Sequence, residues 1–197
     1  MEFLYQLQFC VLSEGYAMKT YFIADLHFND ANIIRFCNRP FQTVDEMNQT
    51  IISNWNNVVS RDDTVFVLGD VYTFKDFDAN DYKNLDADRI NYYNLVSKLK
   101  GHKRLIKGNH DTEPDDLYLS CNCFEFVSPY PIVFHNFFFL SHEPAMLSET
   151  TPYFNIYGHI HNNNKFVDNT TSKCVSAERI TYTPISLDTI KKGIPLC

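Results

Sequence analysis

Five short polar clusters carry the chemistry of this sequence: Asp25-Leu26-His27, Gly69-Asp70, Gly108-Asn109-His110-Asp111, Ser141-His142-Glu143 and Gly158-His159-Ile160-His161. Each directly follows an apolar run. Carboxylate, imidazole and amide oxygen together suit Mn, Fe, Zn, Co or Ni better than Ca or Mg, which favour all-oxygen shells. No cysteine falls within the clusters, which argues against a structural zinc site. In Asp25-x-His27 and His159-x-His161, alternate residues of an extended segment would share a face, so each pair can address one cavity.

The elements that must position these residues are legible in outline. Lys19 to Ala24, Thr64 to Leu68 and Lys103 to Lys107 read as buried strands. Thr43 to Ser60 reads as an amphipathic helix with Val44, Met47, Ile51, Trp55 and Val58 on one face. Thr43 with Glu46 fits a capping box. Arg89 to Lys100 reads as a second helix closed by Gly101, and the polar stretch Tyr72 to Asp88 before it as a loop over the site. Strand, helix, strand, helix, strand implies parallel pairing through crossover helices. Such sheets place ligands beyond the carboxyl ends of their strands, where the polar clusters stand.

In the second half, Phe124 to Val127, Pro131 to Phe134, Phe137 to Leu140 and Phe154 to Tyr157 are short strand-like runs. His135-Asn136 fits a tight hairpin turn. A further strand is expected near Cys174 to Ala177, and a terminal helix over Ser186 to Lys192. The aromatic run Phe137-Phe138-Phe139 reads as core strand rather than as a stacking platform. His102 and His135 lie outside the motifs and are read as structural.

The chain has 197 residues, formal net charge −7 and 45% hydrophobic residues, enough for one domain with a substantial core. The domain is read as 18–197. Residues 1–17 are read as an appendage, or as lying upstream of a true start at Met18. An acidic chain makes a poor coat for extended nucleic acid, although cations at a site bring their own positive charge to a nucleotide. The six cysteines are scattered, which suggests reduced thiols and a cytoplasmic protein. No apolar run approaches the length of a membrane span. Cys121-x-Cys123 is read as two thiols near a strand start.

D-L-H, G-D, G-N-H-D, S-H and G-H-I-H, in this order over roughly Lys19 to Asp188, resemble the calcineurin-like metallophosphoesterase superfamily. The likeness extends to the small single-domain bacterial and phage type through HFNDANIIRFCNRPF and YTPISL. The resemblance implies an α/β fold of two stacked mixed β-sheets flanked by helices, a four-layer αββα sandwich. It implies two divalent metal ions, with manganese favoured. One would be held by Asp25, His27, Asp70 and His161, the other by Asp70, Asn109, His142 and His159. His110 would touch the substrate phosphate or the leaving oxygen, and Asp111 would orient His110. The physical case for two metals stands by itself: cations roughly 3.5–4 Å apart clamp nucleophile and phosphate oxygens in an in-line displacement. The implied reaction is attack of a metal-bound hydroxide on a small phosphodiester or nucleotide. Arg35 and Arg39 are candidate contacts to substrate phosphate, since arginine suits bidentate phosphate binding. The alternatives are a non-catalytic binding module of the same fold, a nuclease or a protein phosphatase.

Overall fold

The computed structural model describes residues 17–74, 82–148, 150–164 and 168–194. The expected appendage 1–17 lies outside the described residues apart from Ala17, as does 75–81 of the expected loop.

β1 (Thr20–Ile23), β2 (Thr64–Val67), β3 (His102–Ile106) and β4 (Phe126–Ser128) form a parallel array in the order β4-β3-β2-β1. A short β9 (Ile185–Ser186) adds antiparallel to β1 and makes the sheet mixed. The second sheet runs β5-β6-β7-β8, from Ile132–Phe134, Phe138–Leu140, Phe154–Tyr157 and Ser172–Cys174. β5 and β6 form an antiparallel hairpin; the remaining pairs are parallel. His135 and Asn136 turn the hairpin with φ of 49° and 56°, and with Phe137 they make the three-residue connection between the paired Phe134 and Phe138.

The sheets share one core. Phe22 and Phe66 stack at 5.6 Å on the first sheet, and Phe134 of the second closes on them at 6.3 and 4.9 Å. The sheets are also tied near the site, where Ala24 N–H donates to Val175 O and Ala177 N–H to Ala24 O, at 2.9 and 3.0 Å. The expected architecture, two mixed sheets with flanking helices, is the one present.

The helix α1 (Ala31–Phe36) leads into α2 (Val44–Val58), which starts where expected: Thr43 Oγ1 accepts from Glu46 N–H at 3.1 Å. Glu46 reaches back to Gln42 N–H rather than to Thr43, so the box is offset by a residue. α2 buries Met47, Ile51, Ile52 and Trp55, while Val58 stays at the surface. Each such side chain contributes about 1.5–3 kcal/mol.

α3 (Tyr82–Val96) begins well before the expected Arg89 and ends before Lys100. The reason lies in what it buries. Asp88 faces inward, accepting from Tyr72 Oη at 2.6 Å and Asn29 Nδ2 at 3.2 Å, ahead of Tyr92, Leu95 and Val96. A buried aspartate breaks the apolar period on which the sequence reading depended. The brief α4 (Asp115–Leu119) follows β3, and α5 (Leu187–Lys192) closes the described chain with Ser186 as its N-cap.

Candidate metal centre

Asp25, Asp70, Asn109, His142 and His159 each follow the carboxyl end of a strand: β1, β2, β3, β6 and β7 respectively. They converge between the two sheets at one end of the molecule. The backbone that delivers them is not extended. Asp25, His27, Asp70, His159 and His161 have φ of 57°, 48°, 56°, 68° and 48°. The two D-x-H and H-x-H pairs therefore reach their cavity through left-handed turns, because the strands end at Ile23 and Tyr157. A non-glycine residue held there costs of order 1–3 kcal/mol, and such strain clusters at functional sites.

Two ligand groups result. The side-chain donors of Asp25, His27 and His161 lie within 4.8 Å of one another, as do those of Asp70, His142 and His159. Asp70 Oδ2 stands between the groups, 3.5 Å from His27 Nε2 and 3.3 Å from His142 Nε2. Asn109 Oδ1 is 3.0 Å from both His142 Nε2 and His159 Nδ1. Every residue of the two expected ligand sets is thus in the cavity.

The donors fit a divalent cation. His27 is 2% exposed, and neither of its ring nitrogens has a hydrogen-bond partner. Burial holds its pKa at about 3 against the pull of Asp70, so the imidazole is neutral, with one N–H and one lone pair that both lack a partner. Burial also raises the Asp25 carboxyl. A buried lone pair without a partner is costly, and a cation would relieve that cost. His142 Nδ1 is 2.8 Å from Leu68 O, a carbonyl that can only accept, so Nδ1 carries a proton, and Nε2 faces Asp70 and Asn109. Burial opposes protonation of His142, yet hydrogen bonding and charge from Asp70 win and lift it to about 9. Asp70 is held down at about 2, because His142 and His27 outweigh its burial.

The loops are locked by backbone bonds. Asp25 N–H donates to Gly69 O and His27 N–H to Asp70 O, at 3.0 and 2.9 Å. His159 N–H donates to the Asp25 carboxylate at 2.9–3.0 Å. Asp111 accepts from the N–H groups of Asp70, Val71 and Gly108 at 2.7, 3.1 and 2.9 Å. Asp111 thereby staples the β2 and β3 loops together, one of which carries His110. Burial lifts Asp111 to about 6 despite these donors. His110 is exposed, donates its N–H to Asp70 Oδ1 at 2.9 Å, and sets its ring 5.1 Å from that of His27. Glycine is required where these loops meet. Gly69 has φ 88°, and a Cβ there would strike the His142 ring; a Cβ on Gly108 would strike the Asp70 carboxylate.

Arg39 does not face a substrate. Its guanidinium is buried, donating to Asp25 O at 2.7 Å, Leu26 O at 3.0 Å and Glu178 at 2.7–2.8 Å. Glu178 in turn lies 3.0 Å from His161 Nδ1. Burial raises Glu178, but His161 and Arg39 hold it down at about 2. Burial opposes the charge on His161 as well, yet hydrogen bonds that its ring donates to Cys37 and Glu178, with the nearby acids, lift it to about 10. The sequence reading missed Glu178. It sits four residues beyond the end of β8, in a 3-10 turn (Ala177–Ile180). The strand-end rule applies there too, but no polar ligand directly follows Cys174 to draw attention. Arg35 is exposed in the last turn of α1. Cys121 is exposed and Cys123 buried, and the metal-capable clusters among the described residues leave both out.

Two clefts flank the centre. One of about 570 Å³ is lined by Cys37, Glu143, His159, His161 and Asn162 among others. The other, about 490 Å³, runs along Asn109 and His142 to Pro129, Pro131 and Phe139.

A family model for calcineurin-like phosphoesterases matches residues 18–190. An uncharacterized protein, MJ1445, of Methanocaldococcus jannaschii is 39% identical over 186 residues, 89% of this chain and 91% of its own length. The Gene 66 protein of Mycobacterium phage L5 is 33% identical over 92 residues, 47% of this chain and 39% of its own. Among solved structures, a protein of unknown function from Aquifex aeolicus, AQ665, matches with a TM-score of 0.66 at 26% identity, over 90% of this chain and 100% of that one. With the ordered motifs, the two mixed sheets and the paired ligand groups, the match over 18–190 shows that the chain belongs to the calcineurin-like phosphoesterase family.

Proposed function

We propose that the protein is a two-metal phosphodiesterase acting on a small phosphodiester or nucleotide. The observation that carries the reading is Asp70 Oδ2, placed 3.5 and 3.3 Å from histidines of two separate ligand groups. Asp25, His27, Asp70 and His161 would hold one divalent cation, and Asp70, Asn109, His142 and His159 the other. When bound, such cations supply an activated water and offset charge building on the phosphoryl oxygens. Mixed oxygen and nitrogen donors suit manganese.

The chain's own residues then have separable tasks. His110, exposed beside His27, would hold a proton toward the leaving oxygen. Asp111 keeps the His110 backbone on Asp70 by fastening the two loops. Arg35 is free to meet a phosphate oxygen from the surface of α1. Arg39 is occupied by Glu178 and two carbonyls. The second negative charge of a monoester would therefore lack that arginine, which favours a diester. The same reading places the protein in the cytoplasm, where thiols such as Cys37 and Cys174 stay reduced.

The test is hydrolysis of bis-p-nitrophenyl phosphate beside p-nitrophenyl phosphate, with added Mn²⁺ and an Asp70→Asn control. Turnover of the diester, abolished in the control, is the expected result. No turnover of either ester by protein with manganese demonstrably bound would sink the reading and favour a binding module.

A further inference from the structure

The two clefts differ in chemistry. The one along His159 and His161 is evenly mixed, with Asn162 and Asn163 beside Pro144 and Ile160. The 490 Å³ cleft begins at Asn109 and His142, two residues of one ligand group, and continues onto Ile106, Pro129, Pro131, Phe139 and Ala145. It lies at the seam between β3 of one sheet and β6 of the other. Phe139 is half-buried there, so part of its ring remains open, unlike the core residue Phe138 beside it.

Charge in this cleft does not suit a second anion. Of its lining residues beyond the ligand groups, Lys107 is the cation, and its ammonium is taken by Glu113 O at 2.7 Å and Asp115 at 3.0 Å. The lining residue Glu143 is exposed and acidic. An extended polyphosphate would meet repulsion without a compensating partner. A neutral flat group would instead displace water from proline and phenylalanine surfaces, with Glu143 able to accept from an exocyclic amine. The volume falls in the range of small-molecule sites, which pair apolar walls with a few polar groups.

We infer that this cleft seats a neutral planar ring, aryl or nucleobase, carried by the ester whose phosphate lies at the metal centre. The inference rests on the phosphoesterase reading and names the organic part of its substrate.

The ring can be tested apart from the phosphate. Phenyl phosphate, a nucleoside 5′-monophosphate and methyl phosphate share a charge and differ in the organic group. Each is titrated as an inhibitor of bis-p-nitrophenyl phosphate hydrolysis by the manganese-loaded protein. One buried ring face supplies about tenfold in affinity. At least one ring compound is therefore expected to inhibit about tenfold more tightly than methyl phosphate, and the one that gains more separates aryl from nucleobase. Pro131→Glu, on an exposed residue, and Phe139→Leu should each shrink that ratio, with methyl phosphate as the internal reference. Equal inhibition by all three overturns the inference and leaves the hydrolase intact. A ring preference that both variants retain overturns the location. Absence of any hydrolysis removes the parent reading and the inference with it.

Discussion

Glu178 decides which nitrogen His161 offers. Its carboxylate lies 3.0 Å from Nδ1, so that nitrogen carries a proton directed at Glu178. Arg39 locks the carboxylate and, through Asp25 O and Leu26 O, the first ligand loop as well. Partners of this kind set ligand orientation, and losing one weakens metal binding roughly 10–100-fold. Glu178→Ala is accordingly expected to lose affinity by that order at the Asp25, His27 and His161 group, read as manganese bound per chain after dialysis. Glu178→Gln, which keeps an acceptor, should recover part of it. Two full equivalents at native affinity in the alanine variant would dismiss the role. His161 itself was legible in the sequence because it stands in G-H-I-H. Glu178 was not, because its importance comes from a long-range contact with Arg39 that no local spacing encodes. For the same reason Arg39 read as a free phosphate ligand when it is a buried tie.

At the scale of elements, the site is a set of strand-end loops pressed together. The Gly108 N–H reaches Asp111, and a Cβ at Gly108 would also lie 2.8 Å from both Asp70 N and His142 Cε1. Backbone cannot yield there as a flexible side chain can. Gly108→Ala should destabilise by about 1–3 kcal/mol, the usual range for overpacking, measured as a lower urea midpoint, with loss of manganese binding. Gly193→Ala is the control: its nearest neighbour would be Ile190 O at 3.4 Å, so it should stay within about 0.5 kcal/mol. Equal effects would show that the packing of the loops does not matter. The strands and α2 were readable because apolar periodicity announces them. The early turns of α3 were not, because Asp88 takes an inward position through Tyr72 and Asn29. The left-handed ligand turns were also invisible, since Asp and His enter that region without the glycine that would mark it. β9, two residues long, exists only through its pairing with β1.

For the whole molecule, the centre joins sheets that are separate in sequence: Asp25, Asp70 and Asn109 come from the first, His142 and His159 from the second. A cation held by residues of both sheets would tie the two halves of the core together. Ligand binding to the native state at a hundred times its dissociation constant stabilises by about 2.7 kcal/mol. At this chain length each kcal/mol moves the melting point by about 2–4 °C. Chelation should therefore lower the melting temperature by roughly 5–10 °C, and manganese should restore it in the native protein but not in Asp70→Asn. An unchanged melt would mean the metals contribute nothing to folding. The positive φ of Asp25, His27, Asp70, His159 and His161 has a further consequence, an evolutionary one. These positions are more comfortable for glycine or asparagine than for the residues that occupy them, so the native fold forgoes stability to keep its ligands. A lineage released from selection on the chemistry would drift toward those substitutions and gain ruggedness as it lost the site. Catalytically silent descendants of this fold should thus be sturdier scaffolds than their active ancestors.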